Sequence, residues 1–155
     1  MTPEEIVQKI QERWPDEVIG VYQFAGQGNV SVKRKKIVDI CRFLRDEPGL
    51  EFDYLADLAG ADYPDRPFEE GRFEVVYNLY SIKLNHRIRI KVPLPEDDPV
   101  VESVVGLWVT ADWHEREAFD LMGIRFNNHP NLTRILMPDD YQWHPLRKEF
   151  PVKGY

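Results

Sequence analysis

Phe73-Glu74-Val75-Val76-Tyr77-Asn78-Leu79 and, after a polar break, Arg87-Ile88-Arg89-Ile90-Lys91-Val92 both set an apolar side chain at every second position. That is the period of an extended chain, whose successive side chains point to opposite faces. In the second run the positions between are Arg87, Arg89 and Lys91. Such a strand has one face for a core and one for water, as antiparallel sheets commonly do. Pro93, Pro95 and Pro99 end it. Upstream, Leu50, Phe52, Tyr54, Ala56 and Leu58 alternate with polar residues as far as Leu55, which gives a third strand. Residues 60–71, with Pro64, Pro67 and Gly71, read as a loop.

Toward the N-terminus, Thr2-Pro3 with Glu5 makes a capping box with proline in the first turn. Ile6, Ile10 and Trp14 follow at four-residue spacing, so a helix ends at Pro15. Residues 18–24 read as a strand, Gly26-Gln27-Gly28-Asn29 as a turn, and Val30–Lys33 as the return strand. Ile37, Ile40, Cys41 and Leu44 keep helical spacing until Pro48-Gly49. The basic run Lys33-Arg34-Lys35-Lys36 at that helix start opposes its dipole; it is a solvated face or a contact with an acidic partner or anionic headgroups. A short helix is expected over 100–107. The order is helix, two strands, helix, three strands, helix. It predicts an α+β two-layer sandwich, a mostly antiparallel sheet with helices on one face.

A chain of 155 residues suits one domain, which buries roughly 70% of its unfolded surface. No run of eighteen apolar residues could span a bilayer, and the acidic start is unlike a signal peptide. Net charge −7 argues against general nucleic-acid binding. The lone Cys41 cannot close an internal disulfide or hold an iron–sulfur cluster, and it reads as a core residue.

Asp112 can cap a helix that Gly123 ends, with Glu115 closing a capping box. At 100° steps from Trp113, Arg116, Glu117 and Asp120 fall at about 300°, 40° and 340° and form one charged stripe. Arg116 and Asp120, four apart, can pair. Glu115 falls at about 200°, among apolar neighbours, where a bare carboxylate is too costly to bury. After Phe126 no period survives. Residues 127–155 carry Pro130, Pro138, Pro145 and Pro151, two His-Pro steps at His129 and His144, and a net charge of +1 against −8 for the rest. The segment is nonetheless rich in large side chains, among them Leu132, Leu136, Tyr141, Trp143 and Phe150. Disordered tails lack such content, so it packs on its own body or on a neighbour. The chain thus divides into an α+β domain, 1–126, and an extended segment, 127–155, docking on a partner.

The blocks Glu115-Arg116-Glu117-x-x-Asp120-Leu121-Met122-Gly123-Ile124, His129-Pro130-Asn131-Leu132, Arg134-Ile135-Leu136 and His144-Pro145-Leu146-Arg147-Lys148-Glu149-Phe150-Pro151 strongly resemble the C subunit of the NADH-quinone oxidoreductases, the respiratory complex I family. Asp62-Tyr63-Pro64 also looks like that family. Thr133 and Trp143 depart from its usual basic residue and glycine. The resemblance implies a non-catalytic subunit of the peripheral arm, on the cytoplasmic side of the inner membrane, touching the membrane only through the complex. It implies packing against the quinone-site D subunit and neighbouring iron–sulfur subunits. FMN, iron–sulfur clusters and quinone would lie in those partners, with no cofactor, metal or nucleic acid bound here. Glu115, Arg116, Glu117, Asp120, His129, Arg134, His144, Arg147 and Lys148 are carried over as contact or scaffold residues, none as catalytic. The enzyme activity, electron transfer from NADH to quinone coupled to proton translocation, would belong to the whole complex.

Two other classes remain at this point. An equivalent subunit of a membrane-bound hydrogenase or another donor–quinone dehydrogenase would share these blocks. A stand-alone metal hydrolase would need His114, Glu115, Glu117, His129 and His144 to converge, but no His-x-x-x-His pair marks a helix.

Overall fold

The structure, a computed structural model, describes residues 1–154. Thr2 opens α1 (Pro3–Arg13) with the reciprocal cap expected from its sequence: its hydroxyl accepts the Glu5 N–H at 3.2 Å and its own N–H donates to the Glu5 carboxylate at 2.9 Å. Ile6, Val7 and Ile10 face inward. β1 (Val18–Phe24) and β2 (Gln27–Val32) form a hairpin. Its turn is only Ala25-Gly26, both with positive φ (52° and 77°), the twist a two-residue connection needs. The return strand therefore starts at Gln27, earlier than the expected Val30.

Arg34–Lys36 make one 3-10 turn before α2 (Ile37–Asp46), which buries Ile37, Ile40, Cys41 and Leu44. Leu50 and Phe52 are buried ahead of β3 (Tyr54–Asp62). That strand runs on through Asp62, so the expected loop is shorter than 60–71 and holds a 3-10 turn at Phe68–Glu70. β4 (Phe73–Ser81) and β5 (His86–Leu94) follow the alternation seen in their sequences. The sheet order is β1-β2-β5-β4-β3, with β2–β5 parallel and the other pairs antiparallel. The cross-strand row Val30, Ile90, Tyr77, Leu58 lies on the face that carries the core.

The helix expected over 100–107 is absent. Val100–Glu102 is instead a short strand, β6, paired in parallel with β7 (Arg125–Asn127). β-branched side chains favour that pleated pairing over a helix. α3 (Ala111–Met122) starts one residue before Asp112 and has no side-chain cap. The Thr110 hydroxyl turns instead to the Leu55 carbonyl, 3.4 Å away. The Glu115 carboxyl is also used elsewhere, so the expected capping box does not form. Residues 128–154 contain no helix or strand.

Candidate functional site

The last four carbonyls of a helix have no partner inside it. In α3 these belong to Phe119, Asp120, Leu121 and Met122. Gly123, at φ 78°, donates to the Phe119 oxygen (2.9 Å). The Pro-rich segment, lying as a strap along this helix end, takes the other three. Arg134 Nη1 and His144 Nδ1 donate to the Asp120 oxygen (3.0 and 3.1 Å), the Leu146 N–H to Leu121 (2.9 Å), and Arg147 Nε to Met122 (2.7 Å). Two guanidinium groups thus stand at the negative end of the helix dipole. A carbonyl partner requires the proton of His144 on Nδ1. Burial, reinforced by Arg147 and Arg134, lowers the pKa of this imidazole despite the opposing Asp120 carbonyl. A side chain at 123 would be strained at φ 78°, and its Cβ would displace Arg147 Nη2 (2.5 Å) and His144 Nε2 (2.9 Å).

The sequence places Asp120 on a charged stripe where it could pair with Arg116. The structure buries it completely. Its Oδ1 accepts from Arg134 Nη1 at 2.7 Å. Its Oδ2 accepts three successive backbone N–H groups, from Ile135, Leu136 and Met137 (3.1, 2.7 and 2.9 Å). Such consecutive amides form an anion-holding concavity. Burial alone would raise this carboxyl, but the three amides and Arg134 hold it below its ordinary range. Arg116 goes instead to the Thr133 carbonyl (3.2 Å), the Thr133 hydroxyl (3.1 Å) and the Arg134 carbonyl (3.2 Å).

A second fastening lies at the end of β3. The Asp62 carboxylate receives Arg72 in a forked pair (2.7 and 2.9 Å) and the Lys148 N–H (2.7 Å). Arg72 also reaches Glu96 (2.9 Å) and Glu149. Burial pushes the Asp62 carboxyl up, yet Arg72 and the Lys148 amide outweigh it and the net shift is downward. Asp62 and Arg72 were not among the site residues drawn from the sequence. The Asp62-Tyr63-Pro64 block could have flagged the first of them.

His129 locks the start of the segment: Nδ1 accepts the Asn131 N–H (3.0 Å), so Nε2 carries the proton and donates it to the Asp112 carbonyl (3.3 Å), with Asp112 Oδ1 2.9 Å away. Glu115 is fully buried and accepts from the Ser103 hydroxyl and the Val104 N–H (2.9 Å). Burial pushes its pKa up to about 7, against those two hydrogen bonds. It therefore holds the turn after β6 to α3. Glu117 is exposed beside a shallow groove between α3 and β3, and Lys148 contributes its backbone only. His114 faces Asp57 at 3.5 Å. Among the described residues no three His, Cys, Asp or Glu side chains converge as metal ligands. On the outer side of the strap Leu136, Leu146 and Val152 each expose more than half their surface among polar residues such as Thr133, Asp139, Asp140 and Lys148, as do Val109 and Trp113 at the start of α3.

Residues 30–155 match the family described as the respiratory-chain NADH dehydrogenase 30 kDa subunit. The C subunit of the NADH-quinone oxidoreductase of Geobacter sulfurreducens is 45% identical over 146 residues, covering 94% of this chain and 88% of that one. The C subunit from a Roseiflexus species is 47% identical, covering 95% and 83%. Among solved structures, a trypsin-resistant fragment of Nqo5 superposes with a TM-score of 0.73 at 29% identity, covering 85% of this chain and 100% of the fragment. A membrane-bound sulfane sulfur reductase, described as an archaeal respiratory membrane complex, gives 0.74 at 25% identity, covering 96% and 85%. No helix among the described residues is long and apolar enough to cross a membrane. The blocks that fasten the strap to α3 lie inside the matched residues, and the chain belongs to the family of the respiratory-chain NADH dehydrogenase 30 kDa subunit.

Proposed function

We propose that this chain is a non-catalytic scaffold subunit in the peripheral arm of a proton-translocating NADH-quinone oxidoreductase, docked through α3 and the strap onto the quinone-site D subunit. The carrying observation is the two-sided strap. Its inner side is fixed by helix carbonyls, Asp120 and Asp62, which leaves Leu136, Leu146 and Val152 on the outside. Fixing that backbone beforehand lowers the ordering cost of association. Glu115, Arg116, Asp120, His129, Arg134, His144 and Arg147 shape the platform, while Glu117 and the Lys148 side chain face outward for the partner. FMN, iron–sulfur clusters and quinone belong to neighbouring subunits on the cytoplasmic side of the inner membrane. A scaffold can still govern rate, because misplacing reacting groups by about 1 Å costs on the order of 100-fold.

Arg147→Ala and Arg116→Ala should lower the amount of assembled complex in proportion to lost turnover. Normal assembly with abolished NADH:quinone turnover would overturn the scaffold role. Purified alone, the chain should be colourless and metal-free by elemental analysis. The likeness to the sulfane sulfur reductase supports a second reading, an equivalent subunit in a complex with another donor. Co-purification with a flavoprotein that oxidises NADH selects the first reading, and a nickel-bearing partner selects a hydrogenase.

A further inference from the structure

All three helices pack on the core face of the sheet, and no helix covers the opposite face. Arg87, Arg89 and Lys91 occupy successive outward positions of β5, about 7 Å apart as alternate residues of a strand are. Among the described residues none of the three has a carboxylate partner. Arg87 lies 4.7 Å over the Tyr80 ring, Arg89 Nε donates to Asn78 Oδ1 at 2.8 Å, and Lys91 meets the Tyr22 hydroxyl and ring. In contrast, Arg34, Arg45, Arg72 and Arg134 all hold carboxylates. Other cations without a carboxylate, such as Arg116 and Arg147, bond carbonyls inside the fold, whereas these three stand in a row on one face of the sheet. The acids on the strands of this face are Asp57, at the β3 edge, which faces His114 at 3.5 Å, and the buried Glu74 on β4, which lies 3.6 Å from Arg66. Between the strands lies a cleft of about 260 Å³ lined by Gln27, Asp57, Asn78, Tyr80, Arg87 and Arg89. Exposed Tyr22, Phe24 and Tyr54 surround it. Arginine and tyrosine together are the composition of interface centres.

We propose that this open face, centred on Arg87, Arg89 and Lys91, is a second docking surface that takes an extended acidic segment of a neighbouring polypeptide in the complex. Carboxylates at alternate positions of an extended segment repeat at the same spacing as the three cations. The aromatic rings supply area that excludes water around the pairs. The inference rests on the chain being a subunit, but it concerns the face of the sheet opposite the core.

The test uses the complex isolated through a tag on this chain and treated with a water-soluble carbodiimide, which joins an amine directly to a touching carboxylate. Mass spectrometry should find Lys91 coupled to an Asp or Glu of another polypeptide. The double variant R87Q/R89Q should reduce that adduct several-fold, as should about 1 M salt, where the screening length falls to roughly 3 Å. If the partners co-purify but Lys91 forms no adduct and is freely acetylated, this inference fails and the scaffold reading stands. If Lys91 is unlinked and the chain sediments with phosphatidylglycerol vesicles unless Arg89 is replaced, the face is a lipid site and the inference also fails. If no partner co-purifies, the scaffold reading itself is overturned.

Discussion

Glu115 and Asp120 are both fully buried on α3, yet their pKa values move in opposite directions. Glu115 has two hydrogen-bond donors, too few to offset burial. Its carboxyl is raised from 4.5 to about 7. The folded state then binds more protons than the unfolded one, so this residue destabilises the fold progressively as pH rises through that window. Glu115→Gln should flatten that slope, read as urea midpoints that no longer fall between about pH 5 and pH 8. Asp120 has three amides and a guanidinium, so its contribution is present above its ordinary pKa and is lost as pH falls through the lowered one. Asp120→Asn should cost about 3 kcal/mol in urea unfolding at neutral pH, since it strips a buried, charge-assisted cluster of its anion. The helical wheel located Glu115 correctly among apolar neighbours. It misplaced Asp120 because a wheel sees only its own helix, and the donors that bury Asp120 come from residues 134–137.

At the scale of elements, α3 and the strap form one unit, since each satisfies polar groups the other leaves open. Gly123→Ala should reveal this. Alanine at φ 78° costs roughly 1–2 kcal/mol, and its Cβ displaces Arg147 and His144. The expected readout is faster tryptic cleavage after Arg147 and Lys148 with little change in the strand signal of circular dichroism. Unchanged cleavage would mean that the strap holds without its helix end. The alternating strands β4 and β5 were legible because their period is written in the local sequence. The stretch 100–107 was not legible, because Val100–Glu102 pairs with Arg125–Asn127, some twenty-five residues later. No local period announces a partner so far along the chain.

For the whole molecule, the core ends near Phe126, with Leu132 packed against it. Residues 128–154 hold on through polar groups. The isolated chain should therefore show a mixed exchange pattern. The amides of Leu136, Met137, Leu146 and Lys148 should exchange slowly, while those of Asp139, Asp140 and Lys153 exchange fast, measured by hydrogen–deuterium exchange. Uniformly fast exchange along the segment would show that it orders only on a neighbour. That the segment packs somewhere was legible from its large side chains. Which surface receives it was not, because the receiving groups, Asp62 on β3 and the α3 carbonyls, carry no pattern until the layers are stacked.

The strap is tied near its beginning to a helix and near its end to a sheet edge. A tug applied between Asp120 and Asp62 by a moving neighbour is therefore shared by two ionic clusters rooted in different layers, and both must yield together before the segment can peel. Motion in the arm would reach the domain as a shove on the whole body, much as a cable stayed at two posts moves both.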